Sequence, residues 1–320
     1  MTSLFDVTEN DDILALQPRL TDEDPGVRRI ALIELADLEE PDGLLWLVDR
    51  LAADPSEEVR AEAARLLEAW EDEPVVAALC QALTDPALAV QAAAAQSLSL
   101  LKSEAAGRVI LPWTGHADTS VRIATFRALR ELRFAEAAPA ALLALRDADA
   151  NVRREAVGVL GWLKQLDALP ALARLASDDP DTEVRRAATG ALGLASDAQV
   201  LPALGQALQD QAWQVREEAA TTLGKVGHSD AGPALIEALA DDYWQVRLRA
   251  TRSLGRLRYA PALDALIETL GHRISNLRKE AALALGELNE KGAIAALLAA
   301  QDDGDPEVRK AVRIALSQLQ

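Results

Sequence analysis

The chain has 320 residues, half of them hydrophobic but only 3% aromatic, with 51 acidic against 33 basic residues and a formal charge of −18. So large an apolar fraction excludes a disordered chain, and the Ala- and Leu-rich composition points to helices packed through small residues rather than to sheets. The negative charge argues against a protein that coats nucleic acid or anionic membrane, and the single cysteine, Cys80, excludes an internal disulfide framework and a Cys-rich metal site.

Residues 1–10 are acidic from Asp6 onward and do not read as a signal peptide. They are expected to form a loose N-terminal cap segment, with Phe5 covering the first helices. No apolar run approaches the roughly 18 residues of a membrane span, so the expectation is a soluble, cytoplasmic chain without membrane insertion.

From residue 11 to 320 a Val-Arg pair recurs: Val27-Arg28, Val59-Arg60, Val121-Arg122, Val152-Arg153, Val184-Arg185, Val215-Arg216, Val246-Arg247 and Val308-Arg309. Val90-Gln91 and Leu277-Arg278 are degenerate copies, and ten units spaced by 31 or 32 residues fill the chain as a single array. Counting from the Arg as zero, position +7 is Leu in all ten units, from Leu35 to Leu316, and +3 is Ala in eight. Positions −1, +3 and +7 share one helical stripe, so Val, a small residue and Leu face inward on the second helix of each unit. The first helix comes from the preceding apolar stretch, such as Leu201-Pro202-Ala203-Leu204, with Pro at its start. Gly at +8 in units five to nine (Gly161, Gly193, Gly224, Gly255, Gly286) is expected to form a left-handed cap. Asp at −4 (Asp24, Asp118, Asp149, Asp181, Asp305) is expected both to cap the second helix and to pair with Arg along the stack.

The pattern Asp-x-x-Val-Arg-x-x-Ala-x-x-x-Leu-Gly in units of about 31 residues resembles the short HEAT-like repeats of the phycobilisome-lyase type. The resemblance covers almost the whole chain. It implies an all-α, alpha-alpha superhelix of about ten helical hairpins, with the second helices lining a concave groove. It also implies scaffold, adaptor and assembly roles as well as bilin chemistry, so the repeat alone does not select one of them.

Two places depart from the pattern. Near residues 101–130 the first helix is replaced by Arg108 to Gly115, in which Pro112 should shorten or kink it, and unit three carries Gln91 in place of the ladder Arg. Residues 247–279 hold Arg247, Arg249, Arg252, Arg256, Arg258, Arg273, Arg278 and Lys279 against Asp264 and Glu268, a local balance of +6. Arg247 and Arg278 are read as members of the repeated ladder. Beside this segment, Trp213-Gln214 and Trp244-Gln245 occupy equivalent positions in adjacent units, with Tyr243 before the second Trp. Stacking of the units should bring the tryptophans together, and the three units here have Ala212, Tyr243 and Ile274 where others have a capping Asp, with Asp210 and Asp242 as candidate substitutes.

The candidate partner-binding set is therefore Trp213, Gln214, Tyr243, Trp244, Gln245, Leu248, Arg249, Arg252 and Arg256, with Trp162 as an outlying extension. The histidines, His116, His228 and His272, are scattered and none precedes Glu, Cys80 sits in an apolar segment, and no phosphate loop, zinc spacing or nucleophile elbow occurs. No catalytic residue, metal or cofactor is expected. The functional expectation is a non-enzymatic scaffold or adaptor holding one or more proteins in its groove, including a role in assembling a cofactor protein. The alternative is a bilin-lyase-like subunit, with a tetrapyrrole or other small anionic cofactor on the Trp/Arg patch.

Overall fold

The computed structural model describes residues 8–195 and 198–319. Phe5 and the rest of the expected cap up to residue 7 lie outside the described residues. Twenty α-helices follow one another with no strand among the described residues, and the chain divides into two compact units, Met1–Leu163 and Lys164–Gln320.

The first unit holds five helical hairpins. They are α1 (Asp11–Leu20) with α2 (Pro25–Asp37), α3 (Leu44–Ala53) with α4 (Glu57–Leu66), α5 (Glu73–Ala82) with α6 (Leu88–Leu100), α7 (Glu104–Ile110) with α8 (Thr119–Leu132), and α9 (Ala138–Ala144) with α10 (Ala150–Trp162). The second unit holds five more: α11 (Leu169–Asp178) with α12 (Thr182–Ala191), α13 (Leu201–Ala207) with α14 (Trp213–Val226), α15 (Gly232–Glu237) with α16 (Trp244–Leu257), α17 (Leu263–Leu270) with α18 (Ser275–Leu288), and α19 (Ile294–Ala299) with α20 (Pro306–Gln318). Within each unit the second helices pack on one another in sequence, α2 to α10 and α12 to α20.

The inward stripe is where the repeat predicts it. Val59, Val121, Val184, Val215 and Val246 are fully buried, as are Leu67, Leu98, Leu129, Leu192 and Leu254. Pro170, Pro202 and Pro233 stand in the first turns of their helices, where the missing N–H leaves no bond unmade. In the irregular unit, α7 ends at Ile110 and Pro112 begins a 3₁₀ segment from Leu111 to Gly115, as its ring and absent N–H require.

The +8 glycines are not left-handed caps. Gly224 and Gly255 lie inside α14 and α16, where a Cβ would stand 2.3 Å from Ser253 Oγ and 2.7 Å from Ala284 Cα respectively, so they admit close approach of the next second helix. The left-handed residue falls at +11 instead: Arg133, Gly227, Arg258 and Asn289 all have positive φ at the ends of their helices.

The aspartates do two jobs with two different residues. Asp24, Asp118, Asp149, Asp181 and Asp305 cap their helices, each accepting from a backbone N–H of the first turn. They are not the ladder partners. Six ladder arginines reach an Asp 25 or 26 residues later, in the turn of the next hairpin: Arg28–Asp54, Arg60–Asp85, Arg122–Asp147, Arg185–Asp210, Arg216–Asp241 and Arg278–Asp303. Each pair is bidentate, as in Arg28, whose Nε and Nη2 donate to Asp54 at 2.8 and 2.7 Å. The Arg Nη1 donates to carbonyls of its own turn, Asp22 and Glu23 for Arg28, and the Asp accepts the N–H two residues on, Ser56 for Asp54. One rung thus ties two turns together through three kinds of hydrogen bond. Burial alone would raise the Asp54 carboxyl, but the Arg28 and Ser56 hydrogen bonds overrule it and hold its pKa below the ordinary value.

Candidate functional site

The sequence-predicted patch lies on α14 and α16, with Trp213 and Trp244 at their first residues and Tyr243 just before α16. Tyr243, not Trp244, forms the ring stack with Trp213, at 5.6 Å between centroids and 14° between planes. The Arg216 guanidinium stands over the Tyr243 ring at 5.6 Å. Tyr243 takes this place because Asp241, the rung partner of Arg216, also accepts the Tyr243 N–H at 2.9 Å and fixes the turn. Tyr243 and Trp244 are 46% and 37% exposed, a pair of large aromatics facing solvent side by side. Trp213, Gln214, Gln245 and Leu248 are half-buried.

The cap substitutes act differently from the expectation. Helices α14, α16 and α18 have no side-chain cap, and Asp210 binds the Ala212 N–H, one position short of the helix. Asp241 does the same job for Tyr243, while Asp242 is an exposed neighbour.

Two of the patch arginines are held by neighbouring helices. Arg249 Nε donates to Glu217 of α14 at 2.9 Å, and Arg252 donates through Nε and Nη2 to Glu280 of α18 at 2.6 and 2.9 Å. Glu280 is buried, while the Arg252 side chain stays 40% exposed. In the first unit Arg127 reaches Glu155 across the same 28-residue spacing, which marks the contact as a property of the array. Arg256 is exposed, and burial pushes the Glu287 carboxyl above its ordinary range against the nearby Arg256 charge. Trp162 belongs to the first unit, with the Arg133 guanidinium 4.6 Å from its ring centroid.

The ladder assignment holds for Arg278 but not for Arg247. The residue 25 positions on from Arg247 is His272, and the Arg247 Nε is buried without a hydrogen-bond partner. The signal was present in the sequence as the 25-residue Arg-to-Asp spacing, hidden among the many aspartates of an acidic chain.

Cys80 is fully buried and its thiol is pushed up to about 12 by that burial, which keeps it in the unreactive thiol form. No group of three or more His, Cys, Asp and Glu side chains among the described residues could hold a metal ion. No helix among the described residues is long and apolar enough to cross a membrane.

These hairpins, stacked through an inward Val, Ala and Leu stripe and tied by Arg–Asp rungs, define an α-solenoid. The chain belongs to the HEAT-repeat family, whose sequence profile, described as HEAT repeats, matches residues 44–113, 107–193, 175–247 and 232–317. Among solved structures it is similar to yeast importin-β (Kap95p), at 16% identity and a TM-score of 0.68, covering 96% of this chain and 50% of that one. An engineered protein is similar over 96% of this chain and 98% of its own, at 22% identity and a TM-score of 0.54. The complex of CpcE and CpcF of phycocyanin lyase from Nostoc shares 24% identity over 67% of this chain and 94% of that one, with a TM-score of 0.45. The chain spans about half the length of its importin-β neighbour. At these identities the likenesses establish the fold alone. No curated protein sequence matches the chain.

Proposed function

We propose that the protein is a non-enzymatic scaffold or adaptor that holds a protein partner on the second-helix face of its second unit. The observation that carries this reading is the exposed aromatic pair Tyr243 and Trp244, beside half-buried Trp213, at one place in a chain that is only 3% aromatic. Large aromatics exposed next to arginines are the residues that most often anchor protein interfaces. Arg249 and Arg252 serve this site by fixing α14, α16 and α18 against one another through Glu217 and Glu280, so the aromatic platform is rigid before a partner arrives. Gln214, Gln245, Leu248 and Arg256 form its margin. The fold supports the reading, since the solenoid of Kap95p forms a complex with Nup1.

The decisive experiment places a photo-crosslinking amino acid at Trp244 in the native host and identifies what is captured. Trp244→Ala should then weaken the captured partner by about 2 kcal/mol or more, as loss of an interface anchor does, with no change in helical content. Glu62 and Arg65, on the same face of α4, provide the control, and their alanine variants should bind normally. Normal binding by Trp244→Ala together with loss in the α4 variants would place the partner on the first unit.

A further inference from the structure

The ladder is interrupted in the second unit at a place where one half of a charge pair is missing. Arg247 occupies the rung position on α16, and its Nε is buried without a hydrogen-bond partner. In the flanking rungs the same atom donates to an Asp, at 2.6 Å from Arg216 to Asp241 and at 2.7 Å from Arg278 to Asp303. Here the turn carries His272 instead. The ring takes over one task of the absent carboxylate, because Nδ1 accepts the Ile274 N–H at 3.0 Å just as an Asp oxygen accepts the corresponding N–H elsewhere. With Nδ1 accepting, the proton of the neutral ring is on Nε2. The neutral ring therefore has no second acceptor to give Arg247.

Two further features bear on the site. Burial lowers the His272 pKa, and the cationic Arg247, Arg273 and Arg278 lower it further. His272 also lines an open groove on the side of the Arg278–Asp303 rung, so one side of its turn faces solvent, while Arg247 is half-buried and lies outside that groove.

We infer that the Arg247–His272 rung is a binding site for a carboxylate supplied from outside the chain, which takes the place of the missing Asp between the Arg247 guanidinium and the His272 Nε2–H. A carboxylate is the group that the other rungs hold in this position, in the same bidentate geometry. Its source is either an acidic side chain of a partner or a free small carboxylate. The site stands independently of the aromatic-patch reading, because its evidence is the orphaned guanidinium and not the exposure of Tyr243 and Trp244.

The test uses the full chain and follows its three histidines by NMR, assigned through single His→Gln variants, while sodium acetate or a short peptide with one central Asp is added. The His272 signals should shift saturably, whereas His116, at the equivalent turn position but facing Gln91, should not. Arg247→Gln should weaken binding at least tenfold, and Gln91 shows that Gln is accommodated at this position, where its Nε2 donates to the Asp85 carbonyl at 2.7 Å. His272→Asp, which supplies the carboxylate internally, should weaken binding as much. Tighter binding of the peptide than of acetate assigns a partner side chain, and tighter binding of acetate assigns a small carboxylate. The inference is overturned if His272 shows no saturable response, if His116 and His272 respond alike, if Arg247→Gln leaves affinity unchanged, or if inorganic phosphate binds tenfold more tightly than either carboxylate.

Discussion

The ladder is altered at two rungs, one in each unit, and both have histidine where the others have aspartate. In the first unit Gln91 faces His116. The Gln Nε2 donates to the Asp85 carbonyl at 2.7 Å, the His Nδ1 accepts the Asp118 N–H at 3.1 Å, and the His ring stacks on Trp113 at 5.6 Å. This rung has neither the Arg nor the Asp of the others, so it holds no ion pair and no guanidinium. In the second unit Arg247 stands at the rung position with His272 in place of an Asp, so a guanidinium is present with a buried donor unmet. An unsatisfied buried donor costs about 1–3 kcal/mol. The first arrangement is a repaired rung, while the second is an open one. The difference teaches that the repeat unit tolerates loss of the ion pair, and that keeping one charged half is a separate feature of α16.

If this contrast is correct, breaking an intact rung should cost more the deeper the rung is buried. Arg28 and Asp54 form the most enclosed pair, with side chains 7% and 0% exposed. Asp54→His leaves the Arg28 charge enclosed and should destabilise the protein by roughly 3–5 kcal/mol. Asp303→His acts on a pair that is 19% and 11% exposed, and should cost about 1–3 kcal/mol because water reaches Arg278. Denaturant unfolding of the two variants measures both, and equal losses would break the link between burial and rung strength.

A smaller effect sharpens the open rung. His272 has a lowered pKa, first because burial disfavours the charged ring and then because Arg247, Arg273 and Arg278 repel it. The unfolded chain, with His near its ordinary value of about 6.5, therefore binds more protons than the folded chain below that pH. Stability should fall as pH drops through about 6.5 and level off below the folded-state pKa. His272→Gln should remove this contribution to the slope, and Arg247→Gln should reduce it while leaving the part due to burial. An Arg247→Gln slope equal to that of the parent would show that Arg247 does not act on the ring.

Much of the fold was legible because the inward stripe needs only residue type and spacing. Val215, Ala219 and Leu223 are buried wherever a neighbouring helix packs on them, so a period of 31 residues carries the architecture. The caps and the ladder were harder to separate because aspartate serves both. Asp181 caps α12, while Asp179 and Asp210 occupy the turn position two residues before a cap. Proximity in sequence favoured the capping Asp as the partner of Arg185, whereas the pair forms with Asp210 in the next hairpin. The +8 glycines misled for a related reason: Gly is common both at helix ends and at close helix crossings, and only the distance from Gly224 to Ser253 decides between them.

In the candidate site, residue types revealed Tyr243 and Trp244, but not that Arg249 and Arg252 would be occupied by Glu217 and Glu280. Nor could they show that Arg247, assigned to the ladder together with Arg278, would be left open. That property depends on a single histidine 25 residues away in the turn before α18.

The most direct test of the central claim compares the melting temperatures of His272→Asp and His116→Asp. His272→Asp restores an acceptor to Arg247 and should raise the melting temperature by about 2 °C or more, the scale expected for roughly 1 kcal/mol in a chain of this kind. His116→Asp places a carboxylate opposite neutral Gln91 and should give no increase. Equal shifts in the two variants, or a lower melting temperature for His272→Asp, would contradict the account by showing that the Arg247 rung is not open.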